Sequence, residues 1–207
     1  IPRNHICAGL NNLFGEVTWF YPGSGAASNN RSVTYNYMDS TAERPVWTTS
    51  SLDRTAWADS AVFGKPHATY YDPDSTSDST VGNTDGATTY YEHETGVNQV
   101  KAGTTSAIAA NIESGDFDIG QQGLDGDGEY MMKIRRIIPD FLAQTGDARI
   151  TLNLRDFPND VSVSSSLGPF TITSGTQKID TRARARSVSL KVDDTSTSQF
   201  WRLGTFR

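Results

Sequence analysis

Hydrophobic and polar residues alternate along this chain in short runs, separated by clusters of Gly, Ser, Asn and Asp. Val17, Trp19 and Tyr21 share one parity, as do Val33, Tyr35 and Tyr37, and again Ile150, Leu152 and Leu154. A period of two is the spacing of a strand, whose successive side chains point to opposite faces. The pattern predicts strands over 16–21, 31–37, 45–49 with Trp47, 54–58 with Trp57, 67–71, 88–94 and 105–112. It predicts a second set over 130–139, 149–155, 169–173, 181–192 and 199–207. Residues 1–15 read as irregular or briefly helical. The long polar stretch 72–87, with Val81 its only internal apolar residue, reads as an exposed, mobile loop, and 121–128 as a Gly/Asp turn. The central segment 112–120 alternates, but its parity fails around Ser114-Gly115, where a bulge or bend is expected.

Aromatic and β-branched strands between such turns make an all-β fold the expectation. The four strands within 16–58 have the count and length of one propeller blade, and the strands that follow form a looser second unit. Residues 1–111 are therefore expected to be β-propeller-like blades, and 112–207 a β-sandwich-like or packed-sheet region. The first strands read as the middle of a β-architecture, so the chain is expected to be the C-terminal part of something longer. In 182–192, Arg182, Arg184 and Arg186 share a parity with Val188, Leu190 and Val192. One face thus begins cationic and ends apolar. Three readings fit: a solvated edge guarded by charge against aggregation, an inter-subunit arginine row, or a DNA-contact row.

Composition narrows the choice. Hydrophobic residues make up 36% of 207 positions, which is low, but aromatics reach 10%, which separates the chain from disordered polar sequences. The net charge of −6 is uneven: residues 1–100 hold 11 acids and 5 bases, and 101–207 hold 13 of each. Such a chain is not a basic nucleic-acid clamp. The single cysteine, Cys7, excludes an intrachain disulfide and a thiolate zinc cluster. No apolar run approaches the roughly 20 residues that span a bilayer, and no signal peptide is visible.

Catalytic and metal signatures are weak. His5, His67 and His93 are scattered, no Gly-x-Ser-x-Gly elbow occurs, and no Gly-rich loop ends in Gly-Lys-Ser/Thr. Asp72, Asp74, Thr76 and Asp78 have calcium-loop spacing, but Ser77 and Asn83 stand where that loop needs Gly and Glu. Asp125, Asp127 and Glu129 alternate with glycines, as ordinary turns do. Glu92 and Glu94, flanking His93, could share a strand face as paired carboxylates for glycoside cleavage, although a polar strand face accounts for them as well. No residue is assigned as catalytic, cofactor-binding or metal-binding, and no cofactor is expected.

Several short segments carry a resemblance. Leu13-Phe14-Gly15-Glu16-Val17-Thr18-Trp19-Phe20-Tyr21-Pro22 resembles a segment of the tail nozzle proteins of short-tailed bacteriophages, also called packaged-DNA stabilisation proteins. Val33-Thr34-Tyr35-Asn36-Tyr37 follows, then Arg54-Thr55-Ala56-Trp57 with Asp59-Ser60, then Tyr91-Glu92-His93-Glu94 with Gly96. Ile112-Glu113-Ser114-Gly115-Asp116-Phe117-Asp118-Ile119-Gly120 and Arg135-Arg136-Ile137-Ile138-Pro139-Asp140 come next. Arg182-Ala183-Arg184 and Trp201-Arg202-Leu203-Gly204 close the series. The resemblance runs in order over nearly the whole chain. The stretches around 72–87 and 121–128 are longer and more polar than the family pattern.

The resemblance implies a non-enzymatic structural protein of the virion, at the distal end of the phage tail. Such proteins form a homo-oligomeric ring, usually a hexamer, that continues the channel from the portal and adaptor. They retain packaged double-stranded DNA, let it exit without specific binding, contact a tail fibre, spike or needle, and make no stable membrane insertion. In that setting Arg182, Arg184 and Arg186 are expected at a subunit interface. Two alternatives come from other classes. One is a carbohydrate-binding module using exposed Trp47 or Trp201. The other is a glycan depolymerase using Glu92, Glu94 or Asp116.

Overall fold

The computed structural model describes residues 6–72, 87–101, 103–119, 128–157 and 160–204. Among the described residues the fold is all-β, relieved by a single helical turn, and the strands form several small sheets, none closed. The chain divides into two compact units, Ile1–Thr95 and Gly96–Arg207. The division falls after Thr95, ahead of the expected change of region after residue 111. Stretches 73–86 and 120–127, which hold most of the expected polar loop and Gly/Asp turn, lie outside the described residues.

In the first unit, β1 (Cys7–Asn11), β2 (Glu16–Tyr21), β3 (Arg31–Asn36) and β4 (Val46–Ser50) form an antiparallel meander in sequence order. The strands expected at 16–21, 31–37 and 45–49 are therefore present, but 7–11 is a strand where an irregular run was expected. Its pattern is hidden because the inward position is Gly9. A Cβ there would lie 2.3 Å from Trp57 Cγ, so only glycine lets the two sheets approach. Hydroxyl pairs cross the sheet, Thr18 to Thr34 and Ser32 to Ser50, each at 2.8 Å.

β5 (Ala56–Ala58) is not a fourth strand of that meander. It opens a second sheet with β6 (His67–Asp72) and β7 (Ala87–Glu92), and one turn of helix, α1 (Ser60–Phe63), capped by Asp59, leads from it to β6. Trp57 on β5 stacks on buried Phe20 at 5.6 Å and on His93 at 4.7 Å, and its indole N–H donates to the Leu10 carbonyl at 2.8 Å. Arg54 is buried beside them. Its Nε donates to His93 Nε2 at 2.9 Å and its guanidinium lies 4.1 Å over the Tyr91 ring. Aromatic stacking and one paired cation thus fill much of the space that aliphatic side chains occupy in a thicker core.

In the second unit, β8 (Asn98–Lys101) and β9 (Thr104–Ala107) make a hairpin, and β10 (Asn111–Glu113) joins the main sheet. The expected strand over 105–112 is therefore two strands with different partners, broken at Ala109, whose φ is +53°. β11 (Met132–Ile137) pairs with β15 (Ile179–Ala185), and β12 (Phe141–Thr145) with β17 (Phe200–Leu203). β13 (Ala148–Arg155), β14 (Ser165–Ile172) and β16 (Ser187–Asp193) complete the main sheet, ordered β10-β16-β13-β14.

β13 alternates as its sequence does, with Ile150, Leu152 and Leu154 buried. These join Met132, Ile137, Ile172, Ile179, Val188 and Val192 in one hydrophobic cluster. Burying such a cluster is the main stabilising term for the unit.

The expected fault at Ser114-Gly115 is real. Glu113 lies opposite Lys191, and Phe117 bridges Val188, so four residue steps on one strand match three on the other. The extra residue is a bulge. It brings Ile112 and Phe117, five positions apart and of opposite parity, alongside Val192 and Val188.

Candidate functional site

The β11–β15 ribbon gathers the strongest concentration of uncompensated charge among the described residues. The β11 sequence Met-Lys-Ile-Arg-Arg-Ile needs Met132, Ile134 and Ile137 inward and three cations outward. Strict alternation cannot do this, because 134 and 137 differ in parity. The ladder slips between Ile134 and Arg136, leaving both Arg135 and Arg136 exposed and returning Ile137 to the core. The extra residue of that slip lies on β15, where three steps from Ala183 to Asp180 match two from Ile134 to Arg136; Ala183 and Ala185 are buried, and Arg182 and Arg184 are exposed.

Pairing places Lys133 directly opposite Arg184, a like-charge pair that opposes the strand pairing it sits on. At the far end Asp180 receives Arg136 Nε at 3.1 Å and Lys178 Nζ at 2.8 Å. The Lys178 and Arg136 hydrogen bonds hold its carboxyl below the ordinary aspartate value. Lys133, Arg135, Arg182 and Arg184 have no ion-pair partner among the described residues. The adjoining sheet differs. There Arg149 meets Asp193 at 2.7 Å, Lys191 meets it at 3.3 Å, and Arg155 meets Asp116 at 2.7 Å.

Of the three arginines singled out in the sequence, two behave alike and one does not. Arg182 and Arg184 lie on the exposed ribbon face. Arg186 is half-buried and donates to the carbonyls of Gly128 at 3.2 Å and Glu129 at 2.6 Å. The parity run 182–192 crosses from the ribbon to the main sheet at this residue, so the expected single strand is two. Sequence reasoning missed Lys133 and Arg135 as members of the patch. The signal was present: Lys-Ile-Arg and Arg-Ala-Arg share the same cation-apolar-cation spacing, and pairing puts them on one face.

The other candidates are dispersed. β7 ends at Glu92, and Glu94 follows with φ +56°, so the two glutamates do not continue one strand face. Glu92 Oε1 accepts from Thr95, and Lys65 Nζ lies 3.4 Å from it; the Thr95 hydrogen bond, then Lys65, lowers its pKa, whereas a general acid needs a raised one. Glu94 instead accepts from Asn11 Nδ2 at 3.2 Å. Asp116 is held by Arg155.

Trp201 donates its indole N–H to Asp194 at 2.7 Å and meets Phe141 edge-on, so it serves its own fold. Trp47 is 54% exposed and contacts Tyr35 at 4.7 Å and Trp19 at 6.0 Å, which gives β2, β3 and β4 an open aromatic face.

Asp74, Thr76, Asp78, Asp125 and Asp127 lie outside the described residues, as does His5. Among the described residues, no group of three His, Cys, Asp or Glu side chains could hold a metal ion, and no helix is long and apolar enough to cross a membrane. Comparison with protein-family models and with curated proteins gives no match.

Proposed function

We propose that this chain belongs to the tail nozzle of a short-tailed bacteriophage, as a structural subunit at the distal end of the virion tail. The reading is carried by one observation: seven short segments resemble that family in the same order across both units. In this reading the β1–β4 meander is one blade of a propeller, and 96–207 holds the sandwich-like region. Copies form a ring, hexameric in the family's usual form, that continues the portal and adaptor channel. The ring retains packaged double-stranded DNA, releases it during ejection, and carries a fibre, spike or needle. Arg182 and Arg184 face a neighbouring subunit.

Two physical features support a part that completes itself in an assembly. Among its described residues the first unit buries few large apolar side chains while leaving Leu13, Phe14, Met38 and Trp47 exposed. The net negative charge suits a conduit along which DNA slides without adhering.

The test is imaging of purified virions carrying a label fused after Arg207. A ring of label on the tail axis beneath the portal is the expected result. Label on peripheral fibres or spikes would overturn the nozzle reading in favour of host-glycan recognition. The open Trp47 face favours that second reading, because aromatic rings stack on the apolar faces of sugars; a glycan array binding the wild type and losing Trp47→Ala would then establish it. Label absent from virions would overturn both.

A further inference from the structure

We infer that the cationic face of the β11–β15 ribbon is a docking surface for residues 1–95 of a second copy of this chain, through an acidic corner at the ends of β2 and β3. The inference deepens the ring reading and rests on it in one respect, that copies of the chain meet.

The ribbon has charge it does not use internally. Its inward residues, Ala183, Ala185, Met132 and Ile137, already secure it to the core, and four of its outward cations, Lys133, Arg135, Arg182 and Arg184, have no ion-pair partner among the described residues. Edge protection needs only an occasional charge. Here both strands put cations on the same face, with Lys133 opposing Arg184, an arrangement that lowers the stability of the isolated ribbon. An anionic partner removes that repulsion. Exposed Met131 and Ile138 at the two ends of β11 add apolar surface to the same region.

The complementary charge is on the chain itself. Residues 1–95 hold 11 acids and 5 bases, a net of −6, and 96–207 hold 13 of each, a net of zero, so the whole excess lies in the first unit. Within it, Glu16 pairs across the sheet with Asn11 and Asn36, whose side chains donate to Glu94 at 3.2 Å and to Asp39 at 2.9 Å, so the three carboxylates gather at one corner. Partial burial raises the Glu16 pKa, and Glu94 and Asp39 raise it further. None of the three has a cation partner among the described residues. Beside them the β1–β2 and β3–β4 turns abut, with the Tyr37 N–H donating to the Gly15 carbonyl at 2.8 Å. These turns leave Leu13, Phe14 and Met38 exposed, Met38 at 70%. An apolar centre with a charged rim is the anatomy of a protein interface. The two patches differ, so the contact is heterologous and joins copies head to tail, which closes a ring when the rotation permits. A nucleic acid could also meet four free cations, but the chain's negative charge opposes it at long range.

The test uses two charge-swapped full chains. One carries Lys133→Glu, Arg182→Glu and Arg184→Glu; the other carries Asp39→Lys and Glu94→Lys. Circular dichroism and urea unfolding verify that both are folded. Sedimentation velocity then reads association at about 50 mM and about 500 mM salt, a range over which exposed charges become screened. The expected result is association of the wild type that weakens with salt, and at least roughly hundredfold weaker association of each variant alone. An equimolar mixture restores the complexes, because each reversed patch then meets an opposite one. A wild type that stays monomeric, a ribbon variant that associates normally, or a mixture that does not recover overturns the inference. So does a wild type that binds duplex DNA through the ribbon without self-association.

The two proposals fail separately. A ring of label on the tail axis with an unaffected ribbon variant removes the surface and leaves the nozzle. Restored mixing with the label away from the axis does the reverse.

Discussion

Single residues in the first unit carry more structural weight than its small aliphatic core suggests. Gly9 is one. Trp57 is held against it by Phe20, by His93 and by the bond to the Leu10 carbonyl, so the indole cannot withdraw. Gly9→Ala is expected to cost about 1–3 kcal/mol by overpacking, read as a lower urea midpoint at unchanged slope. A midpoint equal to wild type would mean that the sheets separate freely.

His93 makes a second prediction. Burial, then the neighbouring Arg54 and His67 charges, lower its pKa from 6.5 to about 4. The unfolded chain therefore takes up a proton between these values that the folded chain refuses. Stability conferred by neutral His93 is complete above pH 6.5 and is lost as pH falls toward 4. His93→Gln is expected to flatten this part of the urea-midpoint profile relative to wild type. Parallel profiles would show that His93 titrates alike in both states.

At the scale of elements, strands were legible where alternation is uninterrupted, although on β2 and β3 the buried residues, Phe20 and Ser32, lie opposite the aromatic stripe. β2, β13 and most of β3 follow directly from the sequence. Parity failed for three physical reasons. Glycine at an inward position erased the signal of β1. The register slip between β11 and β15, with its extra residue on β15, broke the alternation that would have tied the cations of the two strands together. In 181–192 two strands share one unbroken parity, because the change of partner at Arg186 leaves no mark on the pattern. The Ser114-Gly115 fault was legible because the mismatch lies within one segment. It can be tested. Deleting Gly115 leaves four steps from Ile112 to Phe117 against four from Val192 to Val188, so the ladder closes without a bulge. The Val188 N–H, which donates to the Phe117 carbonyl at 2.9 Å, is expected to keep its protection from exchange within about threefold. Exchange about tenfold faster, the equivalent of about 1.4 kcal/mol, would mean that the bulge is needed to hold Phe117 on β16.

At the scale of the whole molecule, the two units differ in how they are stabilised. The second has one continuous cluster drawn from β11, β13, β14, β15 and β16. The first relies on Phe20, Ala68, stacked rings and a buried arginine, and it carries all the excess charge. Expressed separately, 96–207 is expected to unfold cooperatively in urea. Residues 1–95 are expected to unfold at lower urea and to bind a hydrophobic dye before doing so. Equal midpoints would show that aromatic stacking alone replaces the aliphatic cluster. The candidate surface was only half legible at this scale: Arg182 and Arg184 stood out in the sequence, but their partners Lys133 and Arg135 lie about fifty positions away.

The passage of the chain from β15 to β16 through Arg186 also fixes how the molecule would bear tension. No slack loop separates the ribbon from the centre of the main sheet. A pull on the ribbon in the direction of its strand enters β16 lengthwise, between β10 on one side and β13 on the other. The cross-strand hydrogen bonds run across that direction and are loaded together in shear, not peeled one after another. The ribbon is a handle rooted in an interior strand of the main sheet.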